Sequence, residues 1–188
     1  MTDEKELLEQ LNSEQYKEQA FRVLLKLYKE RLYWHIRNIV KSHDDTDDVL
    51  QNTFIKIYNN IGKFKGDSQL FSWIYRIATN ESLTFINKRA KRLQVPSEEL
   101  QNTVINNLTS DVYFEGEAIQ IKLQKAIATL PEKQQLVFNM KYFEDIKYKD
   151  MSEILETSEG ALKEMACNTS LAIIVRIVKC VPGTKPNL

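Results

Sequence analysis

The chain has 188 residues, 28% charged and 43% hydrophobic, a globular balance that argues against wholesale disorder and a fibrous architecture, while 5 Gly and 4 Pro argue against a β-rich fold of many tight turns. No apolar run reaches the ~18 residues of a membrane span, and the acidic start MTDEKELLEQ lacks the basic-then-apolar opening of a secretory signal, so a cytoplasmic, all-α protein is expected. The zero net charge hides a pattern: residues 1–96 carry 16 Lys+Arg against 13 Asp+Glu, 97–117 none against 5, and 118–188 carry 10 against 8.

From Phe21 the apolar positions Leu24, Leu25, Tyr28, Leu32, Ile36 and Ile39 follow the three-and-four spacing of one helix face, ending near Ser42 or His43. The run Asp44, Asp45, Asp47, Asp48 opens a second helix with the stripe Leu50, Phe54, Ile57, Tyr58 and Ile61. Asp45 or Thr46 is expected to cap its start and Gly62 its end. Lys63–Ser68 reads as a short loop, and a third helix runs from about Gln69 to Arg92, burying Leu70, Trp73, Ile74, Ile77 and Ala78. The polar, acidic strip from Leu93 to Gly116 reads as a flexible linker. A fourth helix (Ile119, Leu123, Ala126, Ile127, Leu130) stops at Pro131, and a fifth starts there with Leu136, Val137, Met140 and Tyr142 or Phe143 inward. A short helix Tyr148–Leu155, the turn Glu156–Ser158 and a further helix from Glu159 or Gly160 have the helix-turn-helix layout.

Cys167, Cys180, His35 and His43 are too few and scattered for a zinc site, and both cysteines read as small buried hydrophobes. The Asp44–Asp48 run invites a metal reading, but acids in a first helical turn offset the helix dipole, and Glu81 is the one acid of the following helix. No metal or other cofactor is expected. Between Lys63 and Arg92, Phe64, Phe71, Trp73, Tyr75 and Phe85 alternate with Lys65, Arg76, Lys88, Arg89, Lys91 and Arg92. Such interleaving suits single-stranded nucleic acid, with bases stacked and phosphates neutralised. The same residues also fit a core with a cationic helix end, and the pattern alone leaves both open. With no Gly-rich phosphate loop, no nucleophile motif and two histidines, an enzyme acting on a small-molecule substrate is not expected.

The stretch DDTDDVLQNTFIKIYNNIGKFKGDSQLFSWIYRIATNESLTFINKRAKR resembles the second conserved region of bacterial sigma factors. LPEKQQLVFNMKYFEDIKYKDMSEILETSEGALK resembles their fourth region, and the extracytoplasmic-function (ECF) group of the sigma-70 family matches best. The resemblance implies two small helical domains, a promoter-melting one over 15–92 and a helix-turn-helix one over 118–180, joined by a linker over 93–117. It implies that Asp48, Gln51, Asn52, Phe54 and Ile55 dock on the clamp helices of core RNA polymerase. It implies that the loop Lys65, Gly66, Asp67, Ser68 captures a base flipped from the minus-10 element, and that Trp73, Arg76, Asn80, Lys88 and Arg89 hold the melted strand and adjoining promoter DNA. Ser158, Glu159, Gly160, Lys163 and Asn168 fall where the family reads the minus-35 duplex. A membrane-anchored anti-sigma factor is implied as a further partner.

The resemblance breaks after Lys163. There the family carries several cations, and this chain continues Glu164, Met165, Ala166, Cys167, Asn168, Thr169, Ser170, with its next cation at Arg176. Few phosphate-neutralising groups predict weak duplex binding. Two rival functions follow from the residues: a polymerase-binding competitor with a defective minus-35 helix, and a small helical enzyme using the aspartate run on a metal-bound phosphate.

Overall fold

Leucines at i and i+4, capped turns and a single proline between two helical runs give this chain a purely helical build among the residues described by the computed structural model, 4–94 and 118–179. The elements are α1 (Glu4–Leu11), α2 (Lys17–Val40), α3 (His43–Asn60), a 3-10 turn (Ile61–Lys63), α4 (Leu70–Leu93), α5 (Ala118–Ala128), α6 (Glu132–Tyr142), α7 (Tyr148–Leu155) and α8 (Glu159–Lys179). They fall into two compact units, one carried by the N-terminal helices and the other by the C-terminal ones. Beyond Leu93 and Gln94, the expected linker over 93–117 lies outside the described residues, as does residue 180.

In the first unit α2 packs on α3, and α1 on α2. Leu24, Leu32, Ile36, Ile57, Ile61, Leu70, Ile74 and Tyr75 are fully buried; each such apolar side chain contributes about 1.5–3 kcal/mol. Trp73 and Ile77, expected inside, are half-buried. Helix α1 was not expected from the sequence. Leu7 and Leu11, one turn apart, bury its inner face, leaving the acids outside.

Only two residues separate α2 from α3. Lys41 takes the left-handed conformation (φ 64°) and donates its N–H to the Arg37 carbonyl at 3.0 Å. Ser42 is extended, and its hydroxyl accepts the Asp45 N–H at 3.5 Å. The cap is therefore Ser42 and not Asp45 or Thr46; the Thr46 hydroxyl instead donates to the Ser42 carbonyl at 2.6 Å. Asp44 and Asp45 occupy the first turn, where their charge offsets the dipole. The expected cap at Gly62 is also corrected. Helix α3 tightens into the 3-10 turn to keep Ile61 buried, and the left-handed glycine of this segment is Gly66, at φ 77°.

The second unit is built on Ala126, Ile127, Leu130, Phe138 and Ile173, with α5 and α6 both packed on α8. Pro131 caps α6, where its missing N–H costs nothing. Buried Gln135 donates to the carbonyls of Ala128 and Leu130 at 3.3 and 2.8 Å, satisfying acceptors the end of α5 leaves free. Tyr142 and Phe143 are exposed, against the expectation that one lies inside. Helix α6 ends at Tyr142, the chain turns at the left-handed Asp145, and the buried side chain of this stretch is Ile146.

The turn of the helix-turn-helix is closed by backbone chemistry. Glu156 is left-handed (φ 50°), Thr157 donates to the Ser152 carbonyl at 3.2 Å, and Ser158 accepts the Ala161 N–H at 3.4 Å to start α8. Helix α8 then runs unbroken for 21 residues. Leu162, Ala166, Thr169 and Ile173 form its buried stripe. Cys167 lies on the opposite side and is exposed, which corrects its expected burial; Cys180 lies outside the described residues.

Thr169 is fully buried and its hydroxyl has no partner among the described residues. A buried unsatisfied hydroxyl costs about 1–3 kcal/mol. Thr169→Val keeps the shape and removes the hydroxyl, so we expect about 1 kcal/mol of added stability, read as a higher urea midpoint at unchanged slope.

Candidate nucleic-acid and polymerase interfaces

The loop between the 3-10 turn and α4 is held at its edges and open in its middle. Phe64 donates its N–H to the Ile61 carbonyl at 3.0 Å, and its ring lies 5.4 Å from that of Trp73 in the first turn of α4. Lys65, Gly66 and Asp67 are exposed and Ser68 is half-buried. A Cβ at Gly66 would meet nothing within 4 Å, so glycine serves there for its backbone angle and not for space. Four adjacent residues thus present a cation, a left-handed turn, a carboxylate and a hydroxyl to solvent. Such a set can bond the edges of an unstacked base.

Along α4, Trp73, Arg76, Asn80, Thr84, Asn87 and Lys91 recur every three or four residues and form one stripe. Trp73 and Arg76 are half-buried; Asn80, Thr84, Asn87 and Lys91 are exposed. Lys88 flanks the stripe, where it lines a shallow cleft of about 90 Å³ with Val49, Asn52, Glu81, Thr84 and Phe85. Arg89 is half-buried on the far side of the helix, so it does not share the stripe. The sequence reading missed Thr84, Asn87 and Lys91 as stripe members, although helical periodicity extended from Trp73 finds all three. Glu81, the one acid on α4, is paired with Lys56 of α3, which removes its repulsion from an approaching phosphate.

On α3, Asp48, Gln51, Asn52 and Ile55 sit at i, i+3, i+4 and i+7, all exposed, with Ile55 52% accessible. Asn59 continues it. Phe54 does not belong to this face: it is buried, edge-on to Phe21 at 6.4 Å, and supports the helix from below.

The start of α8 offers little to a duplex. The Ser158 hydroxyl is engaged as the cap, Lys163 pairs with Glu159 at 3.6 Å, and Gly160 is exposed. The Lys163 ammonium also lies 5.8 Å from the Tyr148 ring centre. Asn168 is exposed but about 140° round the helix from Lys163 at ~100° per residue, so the two cannot point into one groove wall together. Further along, exposed Cys167, Leu171, Ile174 and Val175 give α8 an apolar outer face.

One buried and one half-buried group in the first unit carry shifted pKa values. Burial, and secondarily the Arg37 guanidinium, pushes the Lys41 ammonium down to about 8. Burial raises the Tyr28 phenol, the Glu4 carboxylate raises it further, and Arg31 opposes both. Among the described residues no group of three or more His, Cys, Asp or Glu is placed to hold a metal, and no helix is long and apolar enough to cross a membrane.

Comparison with known proteins places this geometry. Residues 24–92 match the family model for sigma-70 region 2, and 120–167 match that for sigma-70 region 4. The ECF RNA polymerase sigma-E factor of Haemophilus influenzae is 28% identical over 152 residues, covering 77% of this chain and 80% of that protein. The ECF sigma factor SigW of Bacillus subtilis is 27% identical over 152 residues, covering 77% and 81%. Among solved structures, CnrH in complex with the cytosolic domain of CnrY is similar in fold, with TM-score 0.68 and 17% identity over 93% of this chain and 97% of that one. The sigma factor RpoE bound to the anti-sigma factor NepR from Bartonella quintana gives TM-score 0.63 and 18% identity over 85% and 97%. With both conserved regions matched in order on a two-unit helical fold, the chain belongs to the ECF group of the sigma-70 family, transcription initiation factors that direct RNA polymerase to promoters.

Proposed function

We propose that the exposed face of α3, formed by Asp48, Gln51, Asn52 and Ile55, docks on core RNA polymerase, while the loop Lys65–Ser68 and the α4 stripe melt and hold the minus-10 element. The observation that carries this division is the separation of the two faces: an apolar residue ringed by polar ones on α3, and an aromatic followed by cations and amides on α4. The first suits a protein partner, whose contact centre is apolar, and the second suits nucleic acid. The factor works in the cytoplasm without a reaction centre of its own. The aspartate run serves the start of α3, capped by Ser42, and not a bound phosphate.

We keep the domain limits 15–92, 93–117 and 118–180 as a proposal, supported by matches that lie inside the two outer ranges, at 24–92 and 120–167; the region 4 match reaching residue 167 favours a promoter-directing factor over a polymerase-binding competitor. Duplex contact at minus-35 falls to Lys163 and the backbone at the start of α8, with few phosphates neutralised and Asn168 turned away. An anti-sigma partner is supported by the two similar folds, one solved with the cytosolic domain of CnrY and the other with an anti-sigma factor; its membrane anchor rests on the first, whose partner has a domain named as cytosolic.

Ile55→Glu tests the docking face. A charge placed at the centre of a protein contact, with no partner to pair it, costs several kcal/mol. Titration of labelled core polymerase is expected to show at least about tenfold weaker binding, with unchanged unfolding because Ile55 is exposed. Unchanged affinity would move the docking face elsewhere.

A further inference from the structure

Helix α1 precedes the region 2 match, which begins at residue 24, and none of the roles assigned above uses it. Its placement is nonetheless specific. Leu7 and Leu11 are buried, 3% and 1% exposed, so the helix is fixed against the first unit along its length. At its start, a carboxylate oxygen of Glu4 accepts the backbone N–H of Leu70 at 3.1 Å. Just past its end, the Asn12 side-chain oxygen lies 3.9 Å from where a Cβ on Gly62 would stand. One short helix, about 12 Å long at 1.5 Å per residue, therefore bonds to the chain after the loop, at Leu70, and the residue following it lies near the chain before the loop, at Gly62.

The Leu70 contact matters because Leu70 is the first residue of α4. Its N–H is one of the donors that a helix start leaves free, and the adjoining dipole end favours a negative partner. Within four residues of this point lie Asp67, Ser68 and Trp73. Among the described residues the loop is also held by the Phe64–Ile61 backbone bond and the Phe64–Trp73 ring contact, while the place of a Cβ on Gly66 is open. Freeing the Leu70 N–H would let the last loop residues and the first turn of α4 fray together.

We infer that α1 is a brace for the base-capture loop, and that Glu4 is a positioning residue setting how readily and how selectively the loop takes a base. The inference rests on the loop reading proposed above. Its contact is local and carried by one acceptor oxygen, which makes it separable from folding. Glu4→Ala removes the acceptor; Glu4→Gln keeps one acceptor oxygen at the same reach while removing the charge and turning the other oxygen into an amide donor.

The test uses the full chain with core polymerase and a promoter that the wild-type holoenzyme selects from a random library. Three quantities are read: amide hydrogen exchange at Leu70, strand opening reported by 2-aminopurine in the minus-10 element, and opening rates with each of the four bases at the captured position. Glu4→Ala should speed Leu70 exchange about tenfold or more, slow opening several-fold and compress the preference among bases, with polymerase affinity unchanged. Glu4→Gln should recover most of each effect. A general loss of stability would instead lower opening equally for every base and would not be rescued by glutamine; that outcome overturns the inference. Lys65→Ala serves as the control on the loop itself. If Lys65→Ala alters opening and Glu4→Ala does not, the brace is refuted and the loop reading stands; if neither does, the loop reading has failed and the brace with it.

Discussion

Replacing Trp73 by Ala should lower the rate of promoter opening about five- to hundredfold, the range given by ~1–3 kcal/mol for one base-stacking platform. Core-polymerase binding should stay near wild type, because Trp73 is on α4 and the docking face is on α3. Trp73 is half-buried and its ring lies against Phe64, so the variant loses a stacking surface and one anchor of the loop together. Lys88→Ala isolates the electrostatic part. Lys88 is exposed at the edge of the stripe, and its removal should weaken opening about equally on all promoters while reducing the salt slope by about one. Permanganate reactivity of melted thymines, followed against salt, checks both. Loss of polymerase binding by either variant in a folded protein would show that the two surfaces are not separate.

Lys41→Met should stabilise the first unit by about 1–3 kcal/mol at pH 7, an order-of-magnitude expectation from the depressed ammonium pKa. Lys41 is 6% exposed, and burial lowers its pKa to about 8. The unfolded chain holds this proton up to the ordinary lysine range near ~10.4. Below pH 8 both states are protonated and the folded state carries the whole cost of a buried charge. Between about 8 and ~10.4 the unfolded state binds more protons than the folded one, so wild-type stability rises with pH. The advantage of Met is therefore largest at neutral pH and shrinks toward zero by pH ~10.5. Methionine matches the unbranched stem, and both residues meet the same left-handed backbone, so neither packing nor φ confounds the comparison. Urea unfolding of both proteins at pH 7 and pH 10.5 measures it; an equal gain at both values would assign the effect to packing.

Much of this architecture was legible from spacing. Helix α7, the three-residue turn and the start of α8 stand where the sequence put them, because YKDMSEIL carries its own amphipathic period and Ser158 is a strong cap. Misplaced features were those in which tertiary contact outweighed local preference. Gly62 looked like the natural left-handed cap, yet burial of Ile61 continues the turn past it, and Lys41, a residue with no left-handed preference, takes that conformation where α2 and α3 must reverse. Helix α1 was read for its acids, although its leucines carry the packing. At the sites, the alternation of aromatics and cations on α4 left nucleic acid and a core both open, and only the helical rotation separates Lys91, on the stripe, from Arg89, off it. Rotation likewise puts Phe54 under the α3 face and the other four residues expected to dock, Asp48, Gln51, Asn52 and Ile55, on it. The apolar outer face of α8 was visible as a sequence of aliphatics; that it stays exposed beyond the buried stripe required the fold.

Run-off transcription by purified core polymerase over a random promoter library, with polymerase binding scored in the same reactions, tests the central claim most directly. The account predicts stable binding and discrete transcripts that share a minus-10 motif, with a weaker minus-35 preference reflecting the cation-poor α8. Stable binding without transcripts would contradict it, since the chain would then occupy the polymerase without opening DNA.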